Sequence, residues 1–221
     1  GHVHFKEHYN DWREIIASFG LGERFANTDV REQAKGYLPT TEFYNRIYGQ
    51  KGWKAITIRS LSIGQGEILV TPLQLANQAA AIANKGYYIT PHFNRNDSMK
   101  SDIHTTLVDS IHFDVVHRGM ERVMTNGTGR WYNIPELQMC GKTGTVQNPH
   151  GEDHALFIGF APKDNPQIAV AVAVENAGFG ATWACPMATL VMEQYLTGEI
   201  KRNALYERMV NANLIDKSDE E

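Results

Sequence analysis

The sequence has 221 residues, of which 42% are hydrophobic, enough to bury a core in one large or two small domains, and this argues against disorder throughout. Its 21 basic and 25 acidic residues are interspersed and leave a formal charge of -4, which provides no basic field for nucleic acid. With two cysteines and no apolar run of ~20 residues, the sequence indicates neither a disulfide-stapled small fold nor a membrane span.

The first half of the sequence predicts helices separated by a long connection. Apolar residues at helical spacing predict a short amphipathic helix over residues 11–19. Residues 22–60 are polar, with scattered glycines and aromatic residues, and predict an extended, loop-rich connection. A second helix is predicted to begin at Thr71, where Gln74 completes a capping box, and to run to about Lys85.

Strands replace helices in the second half. Residues 94–110 predict a polar loop or weak hairpin, and an apolar stripe predicts a helix over residues 114–124. The periodicity then becomes alternating, which predicts three strands at residues 139–145, 155–160 and 168–174. Their short connections are typical of an antiparallel meander.

The third predicted strand is apolar on both faces, because isoleucine and valines alternate with alanines. Both faces should therefore be covered, and we expect a helix over residues 182–196 to pack on the alanine side. We assign residues 1–134 to a largely helical subdomain with its connections, and residues 135–198 to the sheet and terminal helix. Residues 199–221 are predicted to form a polar tail that frays at its end.

The tripeptide Lys142-Thr143-Gly144 on the first predicted strand is the strongest chemical signal in the sequence. An ammonium and a hydroxyl can both bind a carboxylate, and such charge-assisted hydrogen bonds are strong. A glycine at the third position leaves room for a ligand to lie against the strand. The pattern therefore favours recognition of an anionic group.

The surroundings of this tripeptide resemble the carboxyl-terminal half of the penicillin-binding protein transpeptidase fold. The tripeptide is followed by the run His154-Ala-Leu-Phe-Ile-Gly-Phe-Ala-Pro162, a hydrophobic strand and a terminal helix. Upstream, Ser62-Ile-Gly-Gln-Gly-Glu67 and Thr71-Pro-Leu-Gln-Leu-Ala76 resemble a signature of the class B members.

Residues further upstream resemble the elongation type of class B enzyme, penicillin-binding protein 2, more than the division type. They are Gly36-Tyr-Leu-Pro39, Tyr44-Asn45 and Tyr48-Gly49. The resemblance extends over about residues 20–198. It implies an α/β (α+β) fold like that of serine β-lactamases, in truncated form, with an antiparallel sheet, covering helices and the remaining part of a helical subdomain.

The resemblance implies a peptidoglycan D,D-transpeptidase that acts through a serine acyl-enzyme, needs no cofactor or metal and is inhibited by β-lactams. Lys142, Thr143 and Gly144 are then the candidate catalytic residues. Thr145 is the candidate substrate-binding residue, whose backbone N–H would help to form the oxyanion hole. The implied partners are the stem peptide, β-lactam antibiotics and the cell-elongation machinery, at the periplasmic face of the cytoplasmic membrane.

The family's nucleophile motif Ser-x-x-Lys and its second motif Ser-x-Asn are both missing from the sequence. In the family both come before the Gly-Gln-Gly region, so we expect them, and any export signal or anchor, to lie before Gly1. The chain by itself is then expected to be inactive. Its incomplete sheet should expose an edge and an apolar face, which favours self-association.

Three alternatives remain open from the residues alone. One is a non-catalytic binding or scaffold module of this fold, and another is a β-lactamase or β-lactam sensor, which residues 22–71 disfavour. The third is a metal site at His150 and His154, although Pro149 and Gly151 favour a solvated loop instead. Next to the motif, Cys140 is interpreted as a small core residue.

Overall fold

The computed structural model describes residues 2–94 and 102–215. The chain divides into two compact units, one made of residues 1–81 and 86–110 and the other of residues 82–85 and 111–221. Among the described residues, the helices are all too short or too polar to cross a lipid bilayer.

The first unit is built around a cluster of aromatic side chains. Its elements are α1 (His2–Ala17), α2 (Thr41–Tyr48), most of α3 (Pro72–Ala83), and the antiparallel pair β1 (Tyr87–Ile89) and β2 (Ile103–Thr105). Tyr9, Tyr44 and Trp53 form the buried cluster together with Leu61. Burial of large aromatic surfaces supplies most of the stabilisation of a core of this kind.

The start of α3 confirms the capping box predicted from the sequence. The backbone N–H of Gln74 donates to Thr71 Oγ1 at 3.2 Å, and the N–H of Thr71 donates to Gln74 Oε1 at 3.0 Å. The Gln74 side chain, which is only 1% exposed, also donates to the carbonyl oxygens of Glu23 and Lys35. The cap therefore fixes part of the preceding loop as well as the helix.

The second unit contains the predicted meander. Its elements are α4 (Phe113–Thr125), β3 (Cys140–Val146), β4 (His154–Ala161), β5 (Ile168–Val174), α5 (Ala184–Thr197) and α6 (Asn203–Val210). The strand order is β3-β4-β5 and both pairs are antiparallel, which confirms the prediction. In the register of β3 and β4, Lys142 is opposite Ile158 and Gly144 is opposite Leu156.

The prediction for the face covered by α5 was wrong. Helix α5 packs through Ala188 and Met192 against a cluster that contains Val170, so it covers the valine face of β5. Ala169, on the opposite face, packs against a cluster that includes Met120 of α4. The alternation shows that both faces are apolar, but valine offers more area to bury than alanine, and the sequence could not show which helix takes it.

Two short helices form where the sequence predicted irregular structure. Helix α2 lies inside the predicted connection, where Thr40 caps it by accepting a hydrogen bond from the N–H of Phe43. Helix α6 lies inside the predicted tail, and Met209 is its one buried residue. Helices of eight residues depend on tertiary contacts more than on propensity, so periodicity alone misses them. The end of the predicted tail, and residues 95–101 of the predicted hairpin, lie outside the described residues.

Candidate active site

Strand β3 carries all four candidate residues at an edge of the three-stranded sheet. Lys142 is exposed, and Thr143, Gly144 and Thr145 are partly buried. In the described part of the chain β3 pairs with β4 alone, so its other side is not covered by a strand. An edge strand offers backbone groups as well as side chains to an extended ligand.

The side chains of the motif are held by short local contacts. Lys142 Nζ donates to the backbone oxygen of Thr143 at 2.6 Å. The hydroxyl of Thr143 lies 2.8 Å from that of Thr128, and either oxygen can be the donor. The backbone N–H of Gly180 donates to Thr145 Oγ1 at 3.5 Å, a long hydrogen bond. Each threonine of β3 is therefore in contact with a loop from elsewhere in the unit.

Thr128 was not recognised in the sequence, where its flanking glycines indicate only the end of a helix. A Cβ at Gly127 would lie 2.8 Å from Val123 Cα, and one at Gly129 would lie 2.6 Å from Met124 Sδ. The turn after α4 therefore packs directly on the helix, and its backbone leaves no room for a side chain at Gly127. This close packing fixes Thr128 next to Thr143.

The sequence also gave no sign that the loop after β5 contacts the motif strand. A Cβ at Gly180 would collide with the backbone oxygens of Gly144 and Leu156, so the loop lies directly against β3 and β4. Part of the space beside Gly144 is thus occupied by the chain itself. In the two loops that contact β3, the side chains of Trp131 and Phe179 are 77% and 70% exposed.

The two histidines of the alternative metal site take part in hydrogen bonds that stabilise turns. The His154 ring accepts a hydrogen bond at Nδ1 from the backbone N–H of Asn176 at 3.0 Å, and the backbone N–H of His150 donates to Asn148 Oδ1. Within residues 2–94 and 102–215 the structure contains no group of three or more His, Cys, Asp or Glu side chains arranged to hold a metal ion.

Cys140 is a core residue, as predicted. Its side chain is fully buried in the cluster with Met120 and Phe160, and burial raises the pKa of its thiol to about 12. Burial has the same effect on Cys185, whose pKa is also raised to about 12.

Both cysteines should therefore resist alkylation in the folded protein. The thiolate is the reactive form, and at pH 8 almost none is present when the pKa lies near 12. We expect iodoacetamide at pH 8 to modify neither Cys140 nor Cys185 over hours, as measured by mass spectrometry, and to modify both after unfolding in urea. Rapid modification of the folded protein would contradict the buried placement.

The chain matches a family model and solved structures over most of its length. The model of the penicillin binding protein transpeptidase domain matches residues 6–193. Peptidoglycan D,D-transpeptidase MrdA of Acinetobacter baumannii is 33% identical over 211 residues, which cover 85% of this chain and 30% of that protein.

Two solved structures share the fold. Pseudomonas aeruginosa PBP2 in complex with WCK 5153 is 35% identical with a TM-score of 0.74, over 88% of this chain and 44% of that chain. The complex between PBP2 and MreC from Helicobacter pylori has a TM-score of 0.74 at 23% identity, over 89% of this chain and 38% of that chain.

The chain spans about a third of the length of the curated relatives it matches. Its mixture of helices and antiparallel sheets, shared with these structures, confirms the predicted α/β (α+β) fold. The matched region includes β3 with the Lys-Thr-Gly tripeptide. The chain therefore belongs to the penicillin-binding protein transpeptidase family, as the sequence resemblance predicted.

Proposed function

We propose that a longer protein containing this chain is a peptidoglycan D,D-transpeptidase, which cross-links stem peptides through a serine acyl-enzyme and is inhibited by β-lactams. The observation that carries the proposal is the Lys-Thr-Gly tripeptide on an accessible edge strand, in a chain of this family. The Acinetobacter baumannii relative bears the name of this activity.

In this proposal β3 binds the terminal carboxylate of the stem peptide. The ammonium of Lys142 and the hydroxyl of Thr143 would donate to the carboxylate, and Gly144 would let the peptide approach the strand. The backbone N–H of Thr145 would stabilise the developing oxyanion. The Thr128 hydroxyl, 2.8 Å from that of Thr143, can accept or donate and so orients the Thr143 hydrogen.

The proposed chemistry needs a serine that this sequence does not contain in a Ser-x-x-Lys setting. Attack by that serine on the penultimate D-alanine carbonyl would release D-alanine, and an amine from a second stem peptide would then displace the serine. We therefore propose that the 221-residue chain supplies the carboxylate-binding wall and is inactive when produced alone.

The test is covalent labelling with a fluorescent penicillin. The 221-residue chain should give no adduct, and a longer protein that includes the Ser-x-x-Lys segment should be labelled. In the longer protein Lys142→Ala should slow labelling about 10- to 100-fold, the loss expected for a hydrogen bond to a charged group. Lys201→Ala, which removes an exposed lysine, is the control and should label at the normal rate.

Three outcomes would contradict the proposal. They are a stable adduct on the 221-residue chain, labelling of the longer protein that Lys142→Ala leaves unchanged, and no labelling of the longer protein at all. The last result would favour the scaffold alternative.

We also propose that the longer protein acts at the periplasmic face of the cytoplasmic membrane together with the cell-elongation machinery. The resemblance of residues 36–49 to penicillin-binding protein 2 supports this role. MreC, bound to the Helicobacter pylori protein of similar fold, is an example of the kind of partner meant.

The isolated chain is further proposed to self-associate through β5. Within the described residues this strand ends the sheet, and next to it lies an apolar groove of about 550 Å³ whose lining includes Ile168, Val191 and Tyr206 and no charged residue. An unpaired, uncharged edge strand is a template for another strand. Sedimentation should show dimers or larger species of the chain at micromolar concentration, and Val191→Lys, at a half-exposed position of the groove, should shift the chain towards the monomer. A native chain that sediments as a monomer would contradict the proposal.

A further inference from the structure

Helix α6 lies beyond the residues that the family model matches, yet it contacts both loops that flank the motif strand. We propose that Arg208 is a positioning residue, which ties residues 127–132 and residues 178–183 together and so holds Thr128 and Gly180 against β3. The consequence for catalysis rests on the proposed function, whereas the link that Arg208 makes between the two loops does not.

One guanidinium joins the two loops. Arg208 Nη2 donates to the backbone oxygen of Thr182 at 3.1 Å, and Nη1 donates to Tyr132 Oη at 3.3 Å. The same group lies 5.4 Å from the centre of the Trp183 ring, in cation–π geometry. The planar fork of arginine suits two acceptors at once, which the single ammonium of lysine does not.

The position of α6 is itself fixed at its first turn. Arg202 Nε donates to Glu193 Oε2 at 2.8 Å, and the N–H of Lys201 donates to Glu193 Oε1 at 3.0 Å. Arg202 Nη1 also donates to the backbone oxygen of Tyr132 at 2.8 Å. Because Glu193 is 3% exposed and belongs to α5, these bonds anchor α6 to the core.

Short hydrogen-bonded steps lead from Arg208 to the motif threonines. On one side the N–H of Tyr132 donates to the oxygen of Gly129, whose neighbour Thr128 contacts the hydroxyl of Thr143. On the other side the N–H of Thr182 donates to the oxygen of Phe179 at 2.9 Å. The next residue, Gly180, donates to Thr145 Oγ1.

A plain packing role for α6 explains the arrangement less well. Met209 is the one buried residue of the helix, and Tyr206 and Val210 are 46% and 62% exposed. The apolar area that α6 buries is therefore small. Its single arginine, Arg208, by contrast contacts two loops that are distant from each other in sequence.

The experiment is residue-resolved amide hydrogen exchange on the 221-residue chain, which reports local opening. Arg208→Ala should raise exchange at Tyr132 and Thr182 about three- to tenfold, because Arg208 is exposed and water replaces part of its hydrogen bonding. Arg208→Lys should rescue at most one of the two loops. Tyr132→Phe removes only one acceptor, and should loosen residues 127–132 while residues 178–183 stay protected.

Arg122→Ala, on an exposed position of α4, is the matched control and should leave both loops protected. The inference is overturned if Arg208→Ala leaves exchange at both loops unchanged, or raises it only within α6. It is also overturned if Arg208→Lys behaves as the native chain does at both loops.

A functional measurement separates positioning from stability. In the longer protein that carries the serine, Arg208→Ala should lower the acylation rate constant by about three- to tenfold while the protein remains fully folded at the assay temperature, and Arg122→Ala should leave the rate constant unchanged. If the native longer protein is not acylated, the proposed function fails. The exchange experiment still tests whether Arg208 links the two loops.

Discussion

Replacement of Glu193 by alanine should lower the free energy of unfolding of the second unit by about 3 kcal/mol, because it leaves a partly buried arginine without its carboxylate partner. Glu193 is 3% exposed and binds both Arg202 Nε, at 2.8 Å, and the N–H of Lys201, at 3.0 Å. Arg202 is only 23% exposed, so water cannot replace the carboxylate fully.

Urea denaturation followed by far-ultraviolet circular dichroism measures this loss. Glu199→Ala is the matched control, because its ion pair with Lys201 is exposed and such pairs contribute about 0–1 kcal/mol. Equal effects of the two substitutions would show that the Glu193 pair is not buried in solution.

Replacement of Trp53 by alanine should destabilise the first unit by about 3–5 kcal/mol, the usual cost of removing a large buried aromatic side chain. Trp53 is 0% exposed, and its ring centre lies 5.0 Å from that of Tyr44 and 5.5 Å from that of Tyr9. Its Nε1–H donates to Asn45 Oδ1 at 2.9 Å, so the substitution also leaves this acceptor with one donor fewer.

Amide exchange in α1 and α2 reports the stability of this unit separately from the second. Phe93→Ala is the control, since Phe93 is 82% exposed and surface substitutions change stability by about 0.5 kcal/mol or less. A Trp53→Ala protein that remains as protected as the Phe93→Ala protein would contradict the aromatic core.

Local patterns predicted the elements whose signals lie within a few residues of one another. The capping box of Thr71 and Gln74 and the strand Ile168–Val174 are present as predicted. The antiparallel meander also followed from the lengths of the connections. The sequence also placed Lys142 and Thr143 on the first of the three strands, whereas the position of that strand at an edge of the sheet came from the structure.

Contacts between distant segments could not be predicted in this way. Thr128 meets Thr143 across 15 positions, and Gly180 meets Thr145 across 35. Arg208 reaches Tyr132 across 76. Such contacts depend on how helices pack on the sheet, which a single sequence does not encode in its periodicity. The same reason explains why α5 was assigned to the wrong face of β5.

The close packing at Gly127, Gly129 and Gly180 limits how this protein can diversify. A methyl group at Gly127 or Gly180 would overlap backbone atoms, so both positions should reject substitution in a saturation library selected for folding, whereas at Gly129 it would meet the flexible end of Met124. The exposed side chains of Trp131 and Phe179 meet no such restriction. Inherited variation in these two loops should therefore concentrate in the aromatic positions, while the glycines that pack against α4 and β3 stay constant.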